Sequence, residues 1–274
     1  MQTTLFENIK AENNSRKEIS YHAESYKGLY AMHKYWGKKP FNIMADFIKK
    51  YTNEGDIVLD PFCGSGVSIS EAVFNARKGL GVDINPSSIL ITKNVIKTFN
   101  CKRILELFSE IESAVKDEIQ ELYLVERDGN RYVGQNFLWE QGRITEIRYS
   151  GGSRKKHVVA PKQDDIERAN ELSYESILKF FPNQNFLHNS RINANRDKKI
   201  SDLFTPRNLY ALSLLFSEIE KIKDVDLRDF FKFCFTGSIG QASKMVFVIK
   251  RRNKSKNGEV PLQIEKKEVG SWVI

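Results

Sequence analysis

The sequence predicts an α/β protein, and three observations within its first hundred residues carry that prediction. The apolar run 57–59 predicts a strand, and the glycine-containing turn 60–66, Asp-Pro-Phe-Cys-Gly-Ser-Gly, follows it directly. A stretch compatible with a helix comes next, and a second apolar run, 80–82, ends at Asp83. A strand, a tight turn, a helix and a second strand ending in a carboxylate form the first unit of a Rossmann-like nucleotide site.

The spacing within this unit indicates what kind of ligand it suits. Gly64 and Gly66 let the backbone approach a ligand where a Cβ would clash, and a carboxylate at Asp83 can hold a ribose diol. Asp83 follows the second glycine at close to the roughly 20 residues expected. A dinucleotide fingerprint needs a third glycine at position 69, which is Ile69. The pattern therefore favours a nucleoside-containing cofactor without a pyrophosphate.

The remaining elements follow from apolar periodicity and turn signals. The pattern predicts helices at 41–51, 67–77, 86–99, 103–122, 163–181, from 206 onward and at 226–243. It predicts strands at 57–60, 79–84 and 245–249, with two hairpins in 123–150. We expect a polar N-terminal arm at 1–25, a first core part at 26–122, an insertion at 123–205 and a helical return to the core at 206–274.

Composition and charge exclude several classes of protein. Hydrophobic residues make up 41% and charged residues 28% of the 274 residues, and no apolar run approaches a membrane span. Three cysteines without CxxC spacing argue against a disulfide framework or a zinc site and favour a reducing cytoplasm. The whole excess charge of +8 falls in 123–274. It indicates either a phosphate-backbone partner or simply a basic surface.

The heptapeptide 60–66 resembles the first motif of S-adenosylmethionine (SAM) dependent nucleic-acid methyltransferases. The segment 33–40, His-Lys-Tyr-Trp-Gly-Lys-Lys-Pro, resembles the element that precedes this loop in bacterial DNA amino-methyltransferases, which modify adenine N6 or cytosine N4. Two further segments, 203–209 and 235–245, resemble landmarks of the larger members of that family. The glycine loop by itself is shared with RNA guanine methyltransferases, but the 56 residues before the first strand leave little room for an RNA-binding module.

The resemblance implies a SAM pocket and a DNA substrate. The implied cofactor-binding residues are Lys34, Trp36, Lys39 and Pro40 at the methionine end, Asp60, Pro61, Phe62, Gly64, Ser65 and Gly66 in the loop, Asp83 at the ribose diol, and Ile84, Asn85 and Pro86 beside the adenine. Candidate contacts to the phosphates of double-stranded DNA are Arg154, Lys155, Lys156, Arg251, Arg252 and Lys254. Members of the family often carry a zinc ribbon in the insertion, but 123–200 contains no cysteine, so we expect no metal.

No catalytic residue can be assigned in this chain. Amino-methylation in the family uses Asp, Asn or Ser followed by Pro-Pro and an aromatic, which holds a flipped base. The seven prolines include no adjacent pair, and no cysteine follows a proline, which excludes the nucleophile of carbon-5 cytosine methylation as well. Cys63 in the glycine loop is expected to be packed and not nucleophilic.

Two explanations of this absence stay open. The chain is either the N-terminal part of a longer methyltransferase or a complete, non-catalytic SAM-binding subunit that works with a partner. The apolar ending 269–274 favours the first, because an exposed apolar terminus needs a partner surface. The sequence therefore predicts an α/β, Rossmann-like, SAM-dependent methyltransferase core, incomplete, with a β-rich and helical insertion. We expect it to belong to a restriction-modification system and to be inactive alone.

Overall fold

The structure is a computed structural model that describes residues 22–152, 156–187, 197–249 and 264–269. It divides into two compact units, an N-terminal unit at 1–99 and a C-terminal unit at 100–274. Both contain helices and strands, so the α/β class predicted from the sequence is confirmed. Of the candidate phosphate contacts, Arg154, Lys155, Arg251, Arg252 and Lys254 lie outside the described residues.

The N-terminal unit is a short βαβ arrangement with flanking helices. Its elements are α1 (Leu29–Met32), α2 (Phe41–Tyr51), β1 (Ile57–Asp60), α3 (Val67–Phe74), β2 (Lys78–Gly81) and α4 (Pro86–Ile96). The two strands pair in parallel, with Leu59 opposite Leu80. Helix α3 packs closely on one face because β2 carries glycines there: a Cβ on Gly79 would stand 2.7 Å from Ile69.

The opposite face of this two-stranded sheet is exposed. Ile57, Leu59, Leu80 and Val82 keep between 55% and 68% of their surface accessible to solvent. They alternate along the strands with residues on the face that α3 covers, as the period of two in a strand requires. Parallel sheets in α/β proteins are normally covered on both faces, so this face is an unusual apolar surface.

The C-terminal unit is built on an antiparallel sheet. Its elements are α5 (Cys101–Glu121), β3 (Leu124–Arg127), β4 (Asn130–Glu140), β5 (Arg143–Ser150), β6 (Lys156–Val159), α6 (Gln163–Asn170), a 3-10 turn (Ile200–Leu203), α7 (Pro206–Glu220), α8 (Val225–Ala242), β7 (Phe247–Ile249) and β8 (Ile264–Val269). The strand order is β6-β5-β4-β8-β7, and β3 pairs with the first part of β4. Both predicted hairpins are present, each with positive φ at its two turn residues.

The core of the C-terminal unit lies between the sheet and α5, α6 and α7. Its buried side chains are Val115, Ile119, Tyr123, Val125, Phe137, Ile144, Ile147, Tyr149, Ala169, Ala211 and Leu214. A charged group enters this core: Arg207 is 2% exposed, and its guanidinium lies over the rings of Phe137 at 3.9 Å and Tyr123 at 4.9 Å. Cation–π contacts of this kind are stronger when desolvated, and they offset part of the cost of burying the charge.

Helix α6 is shorter than the sequence predicts. The expected helix spans 163–181, but the helix ends at Asn170. Ser173 and Ser176 bond to each other's backbone amides through their hydroxyl groups, at 3.2 and 3.3 Å. Serine hydroxyls that bond locally to the backbone offer it an alternative to the helical pattern, and here that alternative prevails.

Among the described residues, no helix is long and apolar enough to cross a membrane.

Candidate functional site

The loop between β1 and α3 is a tight turn whose glycines are required by its geometry. Gly64 and Gly66 have φ of 53° and 73°, which side-chain-bearing residues adopt only with strain. A Cβ on Gly66 would stand 2.2 Å from Thr92 Oγ1, and one on Gly64 would stand 3.1 Å from the Tyr35 ring. The loop is further fixed by hydrogen bonds from the amide of Cys63 to Val82 O, 3.0 Å, and from that of Gly66 to Cys63 O, 2.8 Å.

Asp83 joins this loop to the end of the second strand. Its carboxylate accepts hydrogen bonds from the backbone amides of Asn85 and Gly64, both at 2.8 Å. These two bonds favour the ionised form and lower the pKa of Asp83 below its ordinary value. The side chain of Asn85 in turn caps α4 by accepting from the amide of Ser87 at 3.0 Å.

Asp60 occupies the end of the first strand and is held by three donors. Lys39 Nζ donates to it at 2.7 Å, Ser68 Oγ also donates, and the amide of Phe62 donates at 3.1 Å. Burial alone would raise the pKa of Asp60, but the bonds from Lys39, Ser68 and Phe62 outweigh it and the pKa is lowered. Lys39 belongs to the segment 33–40, so this ion pair ties that segment to the loop.

A cavity of about 180 Å³ lies where the segment 33–40 meets the loop. Its lining residues are Tyr35, Gly37, Lys38, Lys39, Phe62, Cys63, Gly64, Ser65, Val67 and Asp83. The volume lies below the roughly 300–1,000 Å³ typical of sites that enclose a small molecule. Two apolar side chains beside it are open to solvent, since Phe62 is 83% and Ile84 100% exposed. The arrangement is one wall of a site rather than an enclosed pocket.

The structure brings together some of the predicted cofactor residues and leaves others apart. The predicted residues that line the cavity are Lys39, Phe62, Gly64, Ser65 and Asp83. Asp60 is not part of the lining, but it accepts a hydrogen bond from Lys39, which is. The remaining predicted residues do not line it: they are Lys34, Trp36, Pro40, Pro61, Gly66, Ile84, Asn85 and Pro86. Trp36 is 97% exposed, Pro40 precedes α2, and Gly66 and Asn85 act through the backbone geometry of the loop and of α4.

Sequence reasoning missed two residues of this wall that carry structural roles. Tyr35 lies against Gly64, and its hydroxyl shares a hydrogen bond of 2.9 Å with Ser88 Oγ. Lys38 donates to the carbonyl oxygens of Tyr30 and His33, and burial lowers the pKa of its ammonium. Both lie within the segment 33–40. The resemblance points to Lys39, which meets Asp60, and leaves out Lys38, which bonds to backbone carbonyl oxygens.

Cys63 is buried, as the sequence predicts. Its exposed fraction is 4%, and burial raises the pKa of its thiol, which disfavours the thiolate that a nucleophile requires. Among the described residues, no group of three or more His, Cys, Asp and Glu side chains is placed to hold a metal ion. Lys156, the candidate phosphate contact that the structure describes, is exposed on the edge strand β6.

Comparison with known proteins supports the resemblance of the N-terminal region. Residues 3–94 match the N6/N4 methyltransferase family, described as DNA methylase. The chain is 27% identical over 94 residues to the type II methyltransferase M.MjaII of Methanocaldococcus jannaschii, covering 34% of this chain and 18% of that protein. The predicted resemblance to DNA amino-methyltransferases is confirmed for this region.

Two further relatives match shorter stretches. The type II methyltransferase M.EcaI of Enterobacter cloacae is 40% identical over 62 residues, 23% of this chain and 13% of its own length. The orphan methyltransferase M.BamHII of Bacillus amyloliquefaciens is 38% identical over 60 residues, 22% of this chain and 23% of its own length. The chain thus spans less than a quarter of each of these relatives. No solved structure shows significant similarity to it.

Proposed function

We propose that this chain is the SAM-binding part of a DNA methyltransferase of a restriction-modification system, with an exocyclic amine of adenine or cytosine as the methyl acceptor. The observation that carries the proposal is the single wall formed by the loop 60–66, Asp83 and Tyr35, within the region that matches DNA methylases. A Rossmann-like core is part of the proposal, and the parallel pair β1–β2 with α3 supports it.

The residues of this wall fit SAM. Gly64 lines the cavity beside Tyr35, and its positive φ, like that of Gly66, sets the tight turn that lets a ligand pass close to the loop backbone. Asp83 keeps acceptor capacity beyond its two backbone bonds, because an ionised carboxylate has about four lone-pair sites. When bound, SAM supplies an electrophilic methyl group on a sulfonium centre.

The roles of the individual side chains follow from their chemistry. Asp83 would accept hydrogen bonds from the ribose hydroxyls. The side chain of Ile84, which is exposed, would pack against the adenine, with Asn85 and Pro86 beside it. Lys39 has three N–H donors, of which one goes to Asp60, so the others can meet the methionine carboxylate. We propose that Lys34, Trp36 and Pro40 close the methionine end of the site. Trp36 would do so through a cation–π contact with the sulfonium of SAM.

Transfer of the methyl group requires the Pro-Pro-aromatic motif, which these 274 residues do not contain. We propose that the chain alone is inactive and that another polypeptide segment or a partner subunit supplies this motif. The exposed apolar face of the β1–β2 sheet supports the proposal, because a parallel sheet in an α/β fold is normally covered on both sides. The same face equally supports the alternative, a non-catalytic SAM-binding subunit of a split methyltransferase, because a partner subunit would cover it.

The proposed substrate is double-stranded DNA in the cytoplasm. The net charge of +8 supports a phosphate-backbone partner, and Lys156 is exposed where it can contact one. The match to DNA methylases favours DNA over RNA as the substrate. All three cysteines are free, which suits a reducing compartment.

Photochemical labelling tests the proposal with the chain as it exists. The protein is irradiated with SAM that carries a labelled methyl group, digested, and its peptides are analysed, while a parallel reaction without irradiation contains DNA. We expect label on a peptide within 57–99 and none on the DNA. Absence of a labelled peptide would remove the cofactor assignment, and labelled DNA would refute the inactivity of the chain alone.

A further inference from the structure

Tyr35 contacts both backbone segments that hold the carboxylate of Asp83. Its ring lies against Gly64, where a Cβ would stand 3.1 Å from Tyr35 Cε1, and the amide of Gly64 donates to Asp83 at 2.8 Å. Its hydroxyl bonds to Ser88 Oγ at 2.9 Å. Ser88 lies in the first turn of α4, which begins directly after Asn85, and the amide of Asn85 is the second donor to Asp83. Tyr35 therefore connects the two donors.

The first turn of α4 carries this contact from Tyr35 toward Asp83. The amide of Ser88 donates to Asn85 O at 3.0 Å, so the position of Ser88 is coupled to the backbone of Asn85. The side chain of Asn85 accepts from the amide of Ser87 at 3.0 Å, which fixes the turn further. A hydroxyl bonded to Ser88 thus helps to set where the amide of Asn85 stands.

The bond between Tyr35 and Ser88 is shielded from solvent on the serine side, because Ser88 is 0% exposed. The amides of Asn85 and Gly64 lower the pKa of Asp83 most, and the hydroxyl of Ser88 lowers that pKa further. Ser88 has one hydroxyl proton, so giving it to Asp83 makes Tyr35 the donor in the bond of 2.9 Å. Hydrogen bonds arranged in such a chain polarise and strengthen one another.

The segment 33–40 therefore meets the rest of the wall at two separate places. Lys39 meets Asp60 at the end of β1. Tyr35 reaches Gly64 and the start of α4 instead. The resemblance implies that the whole segment covers the methionine end of SAM, whereas the second contact leads to the carboxylate proposed for the ribose.

We propose that Tyr35 is a positioning residue for the ribose end of the cofactor site, and that it acts through Ser88 on the carboxylate of Asp83. The inference rests on the proposed function, in which Asp83 accepts from the ribose hydroxyls. The ring of Tyr35 sets the position of Gly64, and its hydroxyl sets the first turn of α4. Tyr35 then affects every ligand that contains adenosine, whether or not the ligand carries the amino acid part of SAM.

Binding of three adenosine-containing ligands to the full chain tests this role. The ligands are SAM, S-adenosylhomocysteine and 5′-methylthioadenosine, which lacks the amino acid part, and calorimetry measures each dissociation constant. We expect Tyr35→Phe, which keeps the ring, to weaken all three by the same factor, about three- to tenfold, because one hydrogen bond that orients Asp83 is lost. A loss confined to the two ligands with an amino acid part would overturn the assignment to the ribose end.

Tyr30→Phe is the matched control. It makes the same chemical change in the same unit and removes a hydrogen bond of 2.8 Å from the buried hydroxyl to Glu71 Oε1. We expect this variant to melt at a lower temperature but to bind all three ligands as the unsubstituted chain does. Equal losses of affinity in Tyr30→Phe and Tyr35→Phe would show that general destabilisation causes both, and would overturn the positioning role.

Two neighbouring serines test the route through α4. Ser88→Ala removes the hydroxyl that Tyr35 meets, whereas Ser87→Ala removes an exposed hydroxyl one residue earlier. We expect Ser88→Ala to weaken binding about as much as Tyr35→Phe does, and Ser87→Ala to leave binding unchanged. The variant with both Tyr35→Phe and Ser88→Ala should lose no more than the larger of the two single losses. Additive losses would show that the two side chains act independently and would overturn the route.

Failure of the positioning role is distinguishable from failure of the proposed function. No binding of SAM by the unsubstituted chain would overturn both. Binding of SAM that is the same in the unsubstituted chain and in Tyr35→Phe would overturn the positioning role alone. Circular dichroism and a thermal melt establish that each variant is folded.

Discussion

Lys39 and Asp60 lie 21 residues apart in sequence and are joined by an ion pair of 2.7 Å. The pair fastens the segment that precedes the first strand to the last residue of that strand. Asp60 is largely buried and Lys39 is partly exposed, so the contact is less screened than a surface ion pair. It is the link through which two separate sequence motifs form one wall.

The melting temperature should depend on pH in a way that reflects the ion pair between Lys39 and Asp60. The folded-state pKa of Asp60 is lowered, so its stabilising contribution is present above the unfolded pKa of about 3.9 and is lost as the pH falls through the folded value. We expect Asp60→Asn to melt at a lower temperature than the unsubstituted chain at neutral pH. The difference should shrink as the pH falls below about 4.

Thermal melts between neutral pH and strongly acidic buffer measure this prediction. Asp56→Asn is a suitable control, because Asp56 is exposed in the same unit and its side chain accepts from the amide of Asn53, a bond that an asparagine oxygen can also accept. A difference between Asp60→Asn and the unsubstituted chain that stays constant across the range would contradict the ionic role of Asp60.

Gly66 should tolerate no side chain. Gly66→Ala places a Cβ 2.2 Å from Thr92 Oγ1 and keeps φ at 73°, so we expect a loss of about 2–4 kcal/mol in the free energy of unfolding. Gly55→Ala is the matched control, since Gly55 also has positive φ but nothing within 4 Å of its ideal Cβ. That variant should lose only about 1 kcal/mol.

Urea denaturation compares the two alanine variants under identical conditions. The difference between them isolates the steric contact with Thr92 from the backbone strain that both share. Equal losses at the two glycines would show that close packing behind the loop contributes nothing to its stability.

The buried ion pair between Arg127 and Asp165 fastens β3 to α6. Arg127 Nη2 donates to Asp165 Oδ2 at 2.6 Å, and the two side chains are 8% and 4% exposed. Removing one partner leaves an uncompensated buried charge, so we expect Arg127→Met to lose about 3–5 kcal/mol in the free energy of unfolding. Arg127→Met combined with Asp165→Asn removes both charges and should recover most of that loss. A double-mutant cycle, followed by urea denaturation, measures the coupling free energy between the two side chains. A coupling of zero would contradict the stabilising role of this ion pair.

The two faces of the β1–β2 sheet should respond differently to a polar substitution. Leu59 is 59% exposed, so Leu59→Ser should change the free energy of unfolding by less than about 0.5 kcal/mol and reduce self-association. Val58 lies on the face that α3 covers, so Val58→Ser should cost about 1–3 kcal/mol. Denaturation and light scattering measure both quantities, and a large loss at Leu59 would show that its face is already covered.

Local chemistry is what the sequence predicts well in this protein. The first strand at 57–60 and the hairpin turn at 128–129 lie where their apolar and turn residues indicate. Most of the helices begin within two residues of their predicted starts, because Asn85, Asn100 and Thr205 cap α4, α5 and α7 with their own side chains.

Contacts between distant segments are what the sequence does not reveal. Strand β8 enters the sheet beside β4, with Asn136 opposite Val269, and no local signal specifies such a pairing. The end of α6 depends on the Ser173–Ser176 turn, which competes with an otherwise helical pattern. At the loop 60–66, motif spacing indicates Asp60 and Asp83, and the resemblance indicates Lys39. Only the coordinates show that Lys39 meets Asp60 while Lys38 bonds to backbone carbonyl oxygens.

Isothermal titration calorimetry with SAM tests the central claim most directly. The unsubstituted chain should bind one equivalent, Asp83→Ala should abolish binding, and Asp56→Ala, which removes an exposed carboxylate of the same unit, should bind as the unsubstituted chain does. Unchanged affinity in Asp83→Ala, or no binding by the unsubstituted chain, would contradict the assignment of this wall to the cofactor.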